Sequence, residues 1–124
     1  MPRLKSEMIE RVECWADRSM GVSRALAKTK CPKWVIDQFG RAATSVGANT
    51  FEADQAVSRA DFCRCLGVAV KELSECRFWI RLVGRQSWIT PTRLANLEAE
   101  CVELQKIMNR MITKTREQPS RKRA

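Results

Sequence analysis

SRADFCRCLGVAVKELSECRFWIRLVG, residues 58–84, decides the architecture of this chain. Phe62, Leu66, Ala69, Leu73, Cys76, Ile80 and Val83 recur at alternating steps of four and three. That spacing keeps one apolar seam on one side of a helix. A half-buried strand would alternate with period two, and no such pattern occurs here or elsewhere in the chain. Ser58 supplies an N-cap hydroxyl, and Asp61, three residues on, can close a capping box and oppose the helix dipole. Gly84 reads as the C-terminal stop. The segment is expected to be a helix from about Arg59 to Val83, with a seam that needs neighbours to cover it.

Three further segments carry matching stripes. After Thr90-Pro91, a cap followed by a proline whose missing N–H costs nothing at a helix start, Leu94, Leu97, Cys101, Leu104, Met108 and Met111 continue to about Arg116. Lys114 and Arg116 suit the C-terminal end of that helix dipole. Upstream, about Leu4 to Lys28 carries Leu4, Met8, Val12, Trp15, Val22 and Leu26, with Ser19 interrupting the stripe and Gly21 weakening the helix. Pro32 to about Asp54 places Val35, Phe39, Ala42, Val46, Asn49 and Ala53 on one side, with Gly40 and Gly47 allowing close approach. The short connections at 29–31, 55–58 and 85–90 favour antiparallel neighbours. The expected fold is all-α, an antiparallel up-down-up-down four-helix bundle over residues 1–116, with 117–124 as a flexible basic C-terminal tail.

Composition narrows the function. A chain of 124 residues, 44% hydrophobic and 30% charged, is one globular domain. No run approaches the roughly 20 apolar residues of a membrane helix, and charges interrupt MPRLKSEMIERVE where a signal peptide would be apolar. A cytoplasmic protein without membrane contact is expected. There the six cysteines stay reduced. With no histidine and no CxxC pair, they read as small buried hydrophobes rather than metal ligands. The missing histidine also removes the usual general base near neutral pH. No GxSxG, P-loop or dinucleotide glycine motif appears, so neither an enzyme nor a cofactor is expected.

The charge points to anionic partners. Lys and Arg total 23 against 14 acids, a net charge of +9. Arg110, Lys114, Arg116, Arg121, Lys122 and Arg123 face only Glu117 in the last fifteen positions, so more than half of the excess lies at one end. Such a segment has the electrostatic character of a phosphate-backbone binder, and equally of a solubilising tail. Arg77, Arg81 and Arg85, four apart, form a second basic ridge beside Phe78 and Trp88. A ridge with aromatics can hold nucleic acid by charge and stacking. It can also be a solvated face, or pair with acids on a neighbouring helix. Polar residues near the seams need partners of their own. An internal network linking Asn49 and Glu52 to Glu72 and Glu75 is expected, fixing helix register.

Within residues 45–83, SVGAN at 45–49, Glu52-Ala53, Ser58, Asp61-Phe62, Lys71-Glu72, Glu75 and Trp79 form a pattern that resembles the bacterial four-helix-bundle family of 23S rRNA intervening-sequence proteins. Arg77-Phe78-Trp79-Ile80-Arg81 and Thr90-Pro91 also look like the related accessory proteins of diversity-generating retroelements. Thr50 and Cys65 stand where relatives often carry an aromatic and a lysine, so surface contacts at those positions are not carried over. The resemblance implies an antiparallel bundle, commonly assembled as a ring of five, without established catalysis. Its implied partners are RNA or other nucleic acid, further copies of the chain, and a reverse transcriptase. Two functions follow as expectations: an oligomeric RNA-binding protein, or a protein-interaction scaffold for such an enzyme.

Overall fold

The computed structural model describes residues 4–119. It is the expected all-α four-helix bundle: α1 (Ser6–Leu26), α2 (Lys33–Asp54), α3 (Arg59–Arg85) and α4 (Pro91–Glu117), with no strand among the described residues. Cross-helix bonds show the antiparallel register directly. Trp15 donates to the Ala43 carbonyl at 3.1 Å and the Leu4 N–H to Asp54 at 2.8 Å, setting α1 against α2. Arg41 on α2 reaches Glu72 and Glu75 on α3. Cys101 bonds the Leu73 carbonyl at 3.0 Å, Gln105 that of Val70 at 3.1 Å, and Arg59 that of Gln118 at 3.0 Å, running α4 back along α3. α3 packs broadly against both α2 and α4, whereas α1 barely meets α4. Across that open seam, Arg11 holds Glu100 with two bonds of 2.8 Å.

The stripes meet in one core. Val12, Trp15, Leu26, Phe39, Val46, Leu66, Leu73, Leu104 and Met108 are nearly or completely buried. On α2 and α4 one seam position each differs from the sequence reading. On α2 the buried row runs Val35, Phe39, Ala42, Val46, Thr50, Ala53, so Thr50 replaces Asn49. On α4, Ile112 is buried while Met111 is only partly covered. The cause is shared. Strict four-three alternation averages 3.5 residues per turn and drifts about 20° per heptad on a straight 3.6-residue helix. A second consecutive step of four, Val46 to Thr50 or Met108 to Ile112, brings the seam back toward the core. Thr50 is tolerated there because its hydroxyl donates to the Val46 carbonyl at 2.7 Å.

Helix ends follow partly different rules. Ser58 caps α3 as expected, its hydroxyl accepting from the Asp61 N–H at 3.0 Å, while Asp61 accepts from the Val57 N–H. Thr90 precedes Pro91 in extended conformation but makes no side-chain cap bond. Gly84 is not the stop. The helix continues to Arg85, and the chain turns at Ser87 with φ 60°. Trp88 N–H bonds the Val83 carbonyl at 3.2 Å and Ser87 N–H that of Gly84 at 3.1 Å. These are the two bonds of a Schellman turn, with serine where glycine is usual. Gly84 packs beside the start of α4, where a Cβ would lie 3.5 Å from Pro91 and 3.6 Å from Leu94, ordinary van der Waals distances that leave room for a side-chain carbon. At the start of the expected tail, Arg59 also bonds the Pro119 carbonyl at 3.2 Å. The remainder of the expected tail lies outside the described residues.

Five of the six cysteines are buried, and Cys14 is exposed. Desolvation raises the Cys76 thiol strongly and pushes Cys101 up to about 12, so both stay protonated, weakly nucleophilic core residues. No helix of the described residues is long and apolar enough to cross a membrane.

Candidate nucleic-acid interface

The described basic residues that the sequence singled out separate into two groups at opposite ends of the bundle. Arg77, Arg81 and Arg85 lie on the last turns of α3. Arg110, Lys114 and Arg116 lie on the last turns of α4, beside the start of α3. Arg81 and Arg59, which lines the same depression as Arg116, are 22 helical positions apart, about 33 Å at 1.5 Å per residue. One compact site therefore cannot use both. Arg121, Lys122 and Arg123 lie outside the described residues.

Within the first group the three arginines have different surroundings. Arg77 turns toward α4, where its Nε bonds Glu98 at 3.1 Å. Arg81 and Arg85 are exposed and make no ion pair among the described residues. They flank a groove of about 450 Å³ between α3 and α4, floored by Ile80, Gly84 and Leu94. Two like charges one turn apart cost a helix a few tenths of a kcal/mol, a cost that an arriving anion removes. Arg85 also sits favourably at the α3 C-terminus.

At the other end, Arg110, Lys114 and Arg116 are exposed and likewise without ion pairs among the described residues. Arg116 shares a shallow depression with Arg59 and Arg64, the latter bound to Asp61 at 2.8 Å. Lys114 rims the apolar groove between α1 and α4, about 480 Å³ in volume. Arg59 belongs to this end, although the sequence marked it only as a helix start.

The polar network exists, with a different centre. Asn49 is half-buried and bonds within its own helix, to the Ser45 carbonyl at 2.9 Å and hydroxyl at 3.1 Å. Glu52 is exposed and joins nothing on α3 by hydrogen bond. Glu72 and Glu75 are instead gathered by Arg41, at 3.1 and 2.6 Å. Glu75 also accepts from the Trp79 indole at 3.0 Å. The Trp79 bond first, and then that of Arg41, hold the Glu75 carboxyl below its ordinary range. The sequence reading missed Arg41 and Trp34. The signal was a row beside the α2 seam, Trp34, Gln38 and Arg41 at steps of four and three, facing the α3 row Glu72, Glu75 and Trp79.

That pair of rows carries an aromatic cluster. Trp34 and Trp79 meet edge to face with centroids 6.4 Å apart, and Phe78 and Trp79 at 5.0 Å. Trp34 is 64% exposed and Phe78 53%. Trp88, expected beside the ridge, packs against the core instead.

Fold and surface together define a basic antiparallel four-helix bundle with an outward face of aromatics and arginines. The chain belongs to the 23S rRNA-intervening sequence protein family, whose model matches residues 10–110. The match contains the whole segment on which the sequence resemblance rests. The structure is similar to the crystal structure of a protein of unknown function from the S23 ribosomal protein family of Bacteroides thetaiotaomicron. The two are 30% identical, with a TM-score of 0.81, over 85% of this chain and 97% of that one. Among curated proteins, none matches. The family is not a known family of enzymes.

Proposed function

We propose that this chain is a non-catalytic, cytoplasmic, homo-oligomeric protein that binds RNA through its basic surface. The observation that carries the reading is the distribution of its cations. Six of the described acids, Asp37, Asp61, Glu72, Glu75, Glu98 and Glu100, pair with Arg11, Lys33, Arg41, Arg64 and Arg77. Arg81, Arg85, Arg110, Lys114 and Arg116 stand exposed without such pairs, ready to neutralise phosphates. Arg121, Lys122 and Arg123 extend the second group in sequence. A family named for sequences within 23S rRNA supports the same class of partner. Replacing Arg121, Lys122 and Arg123 with glutamine, and separately Arg110, Lys114 and Arg116, should weaken binding across many RNA sequences and flatten its salt dependence. Unchanged affinity and slope in both variants would remove this end from the binding surface.

Self-association rests on apolar surface that one bundle does not need. Val68, Trp79, Leu82, Val102 and Ile107 lie outside the buried seams and are only partly covered. Ile112, in contrast, belongs to the core. Soluble proteins rarely leave such surface uncovered without a partner, and head-to-tail contacts that close make rings. Five copies is the number implied by the family resemblance. A ring would combine several weak RNA contacts into one tight one. Light scattering across a concentration range should show a closed oligomer, and a monomer throughout would refute it.

A second reading, an accessory subunit for a reverse transcriptase of a diversity-generating retroelement, is favoured by the α2–α3 turn. Val57 there is 84% exposed and Phe51 46%, an apolar tip suited to protein contact. Co-purification of a reverse transcriptase that is lost on Val57→Asp would support it. Retention of that partner by the variant would count against it.

A further inference from the structure

Large aromatic side chains normally bury most of their surface, yet Trp34 and Phe78 leave more than half of theirs to solvent. Both rest against Trp79 edge to face, at interplanar angles of 76° and 73°. Such a contact engages at most one face of a ring, so each outer ring keeps an open π-face. The ring between them is fixed in place. Its indole N–H is held by Glu75, Glu75 by Arg41, and Arg41 by Glu72. This chain of charge-assisted bonds sets the orientation of the cluster before any ligand arrives.

Charge lies along the same face. Arg81 and Arg85 follow Phe78 by three and seven positions, one and two turns along the same side of α3, about 4.5 and 10.5 Å up the axis. The acids nearby are already engaged: Glu72 and Glu75 by Arg41, and Glu98 by Arg77. Open aromatic faces next to uncompensated arginines are the elements of a single-strand site, in which bases stack and phosphates pair. A duplex hides its base faces within its own stack and could use only the arginines. A two-fold contact would set Arg81 and Arg85 against themselves, which disfavours it, whereas a head-to-tail contact over this face would register as a changed mass in the test below.

We propose that Trp34 and Phe78, with Arg81 and Arg85 beside them, form a stacking platform for unpaired bases of single-stranded RNA. The proposal rests on the RNA-binding function above and gives that function a preference for unpaired strands.

The test compares an unstructured 12-nucleotide RNA with an RNA duplex of equal length, both end-labelled, at low salt. Wild type, Trp34→Ala and Phe78→Ala are titrated with each, and light scattering follows their masses. Both positions are exposed, and circular dichroism should show that the fold is kept. Trp34→Phe and Phe78→Tyr, which retain a ring, serve as rescue variants. Each alanine variant should lose roughly tenfold in affinity for the single strand, while duplex affinity and mass stay unchanged and the ring-retaining variants recover most of the loss. Tryptophan emission of the wild type should be quenched by the single strand, and less so in Trp34→Phe. Wild-type single-strand affinity in both alanine variants would overturn the platform while leaving RNA binding intact. Equal losses on single strand and duplex would overturn stacking as the cause. A changed mass with unchanged RNA affinity would assign the face to contact between copies and overturn the proposal. A wild-type protein that binds neither RNA would remove the general function together with the platform.

Discussion

Replacing Ser87 with glycine probes the turn that sends α4 back along α3. Ser87 is the one non-glycine residue with positive φ among the described residues, and it occupies the left-handed position of the Schellman turn. A left-handed backbone costs an L-residue about 1–2 kcal/mol, a penalty that glycine escapes. Against this, glycine widens the unfolded ensemble and returns roughly 0.5–1 kcal/mol. The net expectation for Ser87→Gly is a gain of about 0.5–1 kcal/mol. Unfolding entropy of about 2.1 cal/mol/K per residue gives a chain of this length about 0.26 kcal/mol/K, so Tm should rise by about 2–4 °C. Thermal melting followed by far-UV circular dichroism is sufficient. Ser87→Val is the control, because a β-branched residue tolerates this backbone least; its Tm should fall. A lower Tm for Ser87→Gly, or a higher one for Ser87→Val, would refute the turn geometry and the reasoning built on it.

Trp15→Phe removes the bond to the Ala43 carbonyl and leaves space in the core; a loss of about 1–2 kcal/mol is expected in urea unfolding, and no loss would contradict the packing. Glu75 has a folded-state pKa below its ordinary 4.5, held there by Trp79 and then Arg41. The stability it lends is therefore complete above that value and fades as pH falls through the lower folded-state pKa. Trp79 emission should titrate in that acid window in the wild type and not in Glu75→Gln; identical profiles would refute the coupling. Maleimide labelling of the native protein should modify Cys14 quickly and the five buried thiols slowly, which peptide mass spectrometry can read. Fast labelling of Cys76 or Cys101 would contradict the core.

The helices and their order were legible because each seam repeats over many turns, so one misplaced residue does not disturb the whole. Asn49 and Met111 were misplaced where steps of three and four compete, and only packing decides which residue turns inward. The α3 stop was missed for a related reason. Glycine is the usual left-handed residue, and nothing local to Gly84 or Ser87 reveals that the left-handed position falls three residues later, on a serine. For the surface, charge totals identified the basic segments but not their separation along the bundle. Sequence could not distinguish Arg77, drawn to Glu98, from Arg81 and Arg85, because that difference depends on which side of α3 meets α4. The expected network joined Glu72 and Glu75 to Asn49 and Glu52, whereas Arg41 gathers them, a residue whose row lies beside the seam rather than on it.

The most direct test of the central claim is the affinity of the purified wild-type protein for RNA, measured from low to physiological salt. The account predicts binding whose logarithm falls linearly with the logarithm of salt, by about 0.7 per phosphate neutralised on a single strand. Replacing Arg81 and Arg85 with glutamine should make that slope shallower by about 1.4. No RNA binding at low salt, or an affinity indifferent to salt, would contradict it.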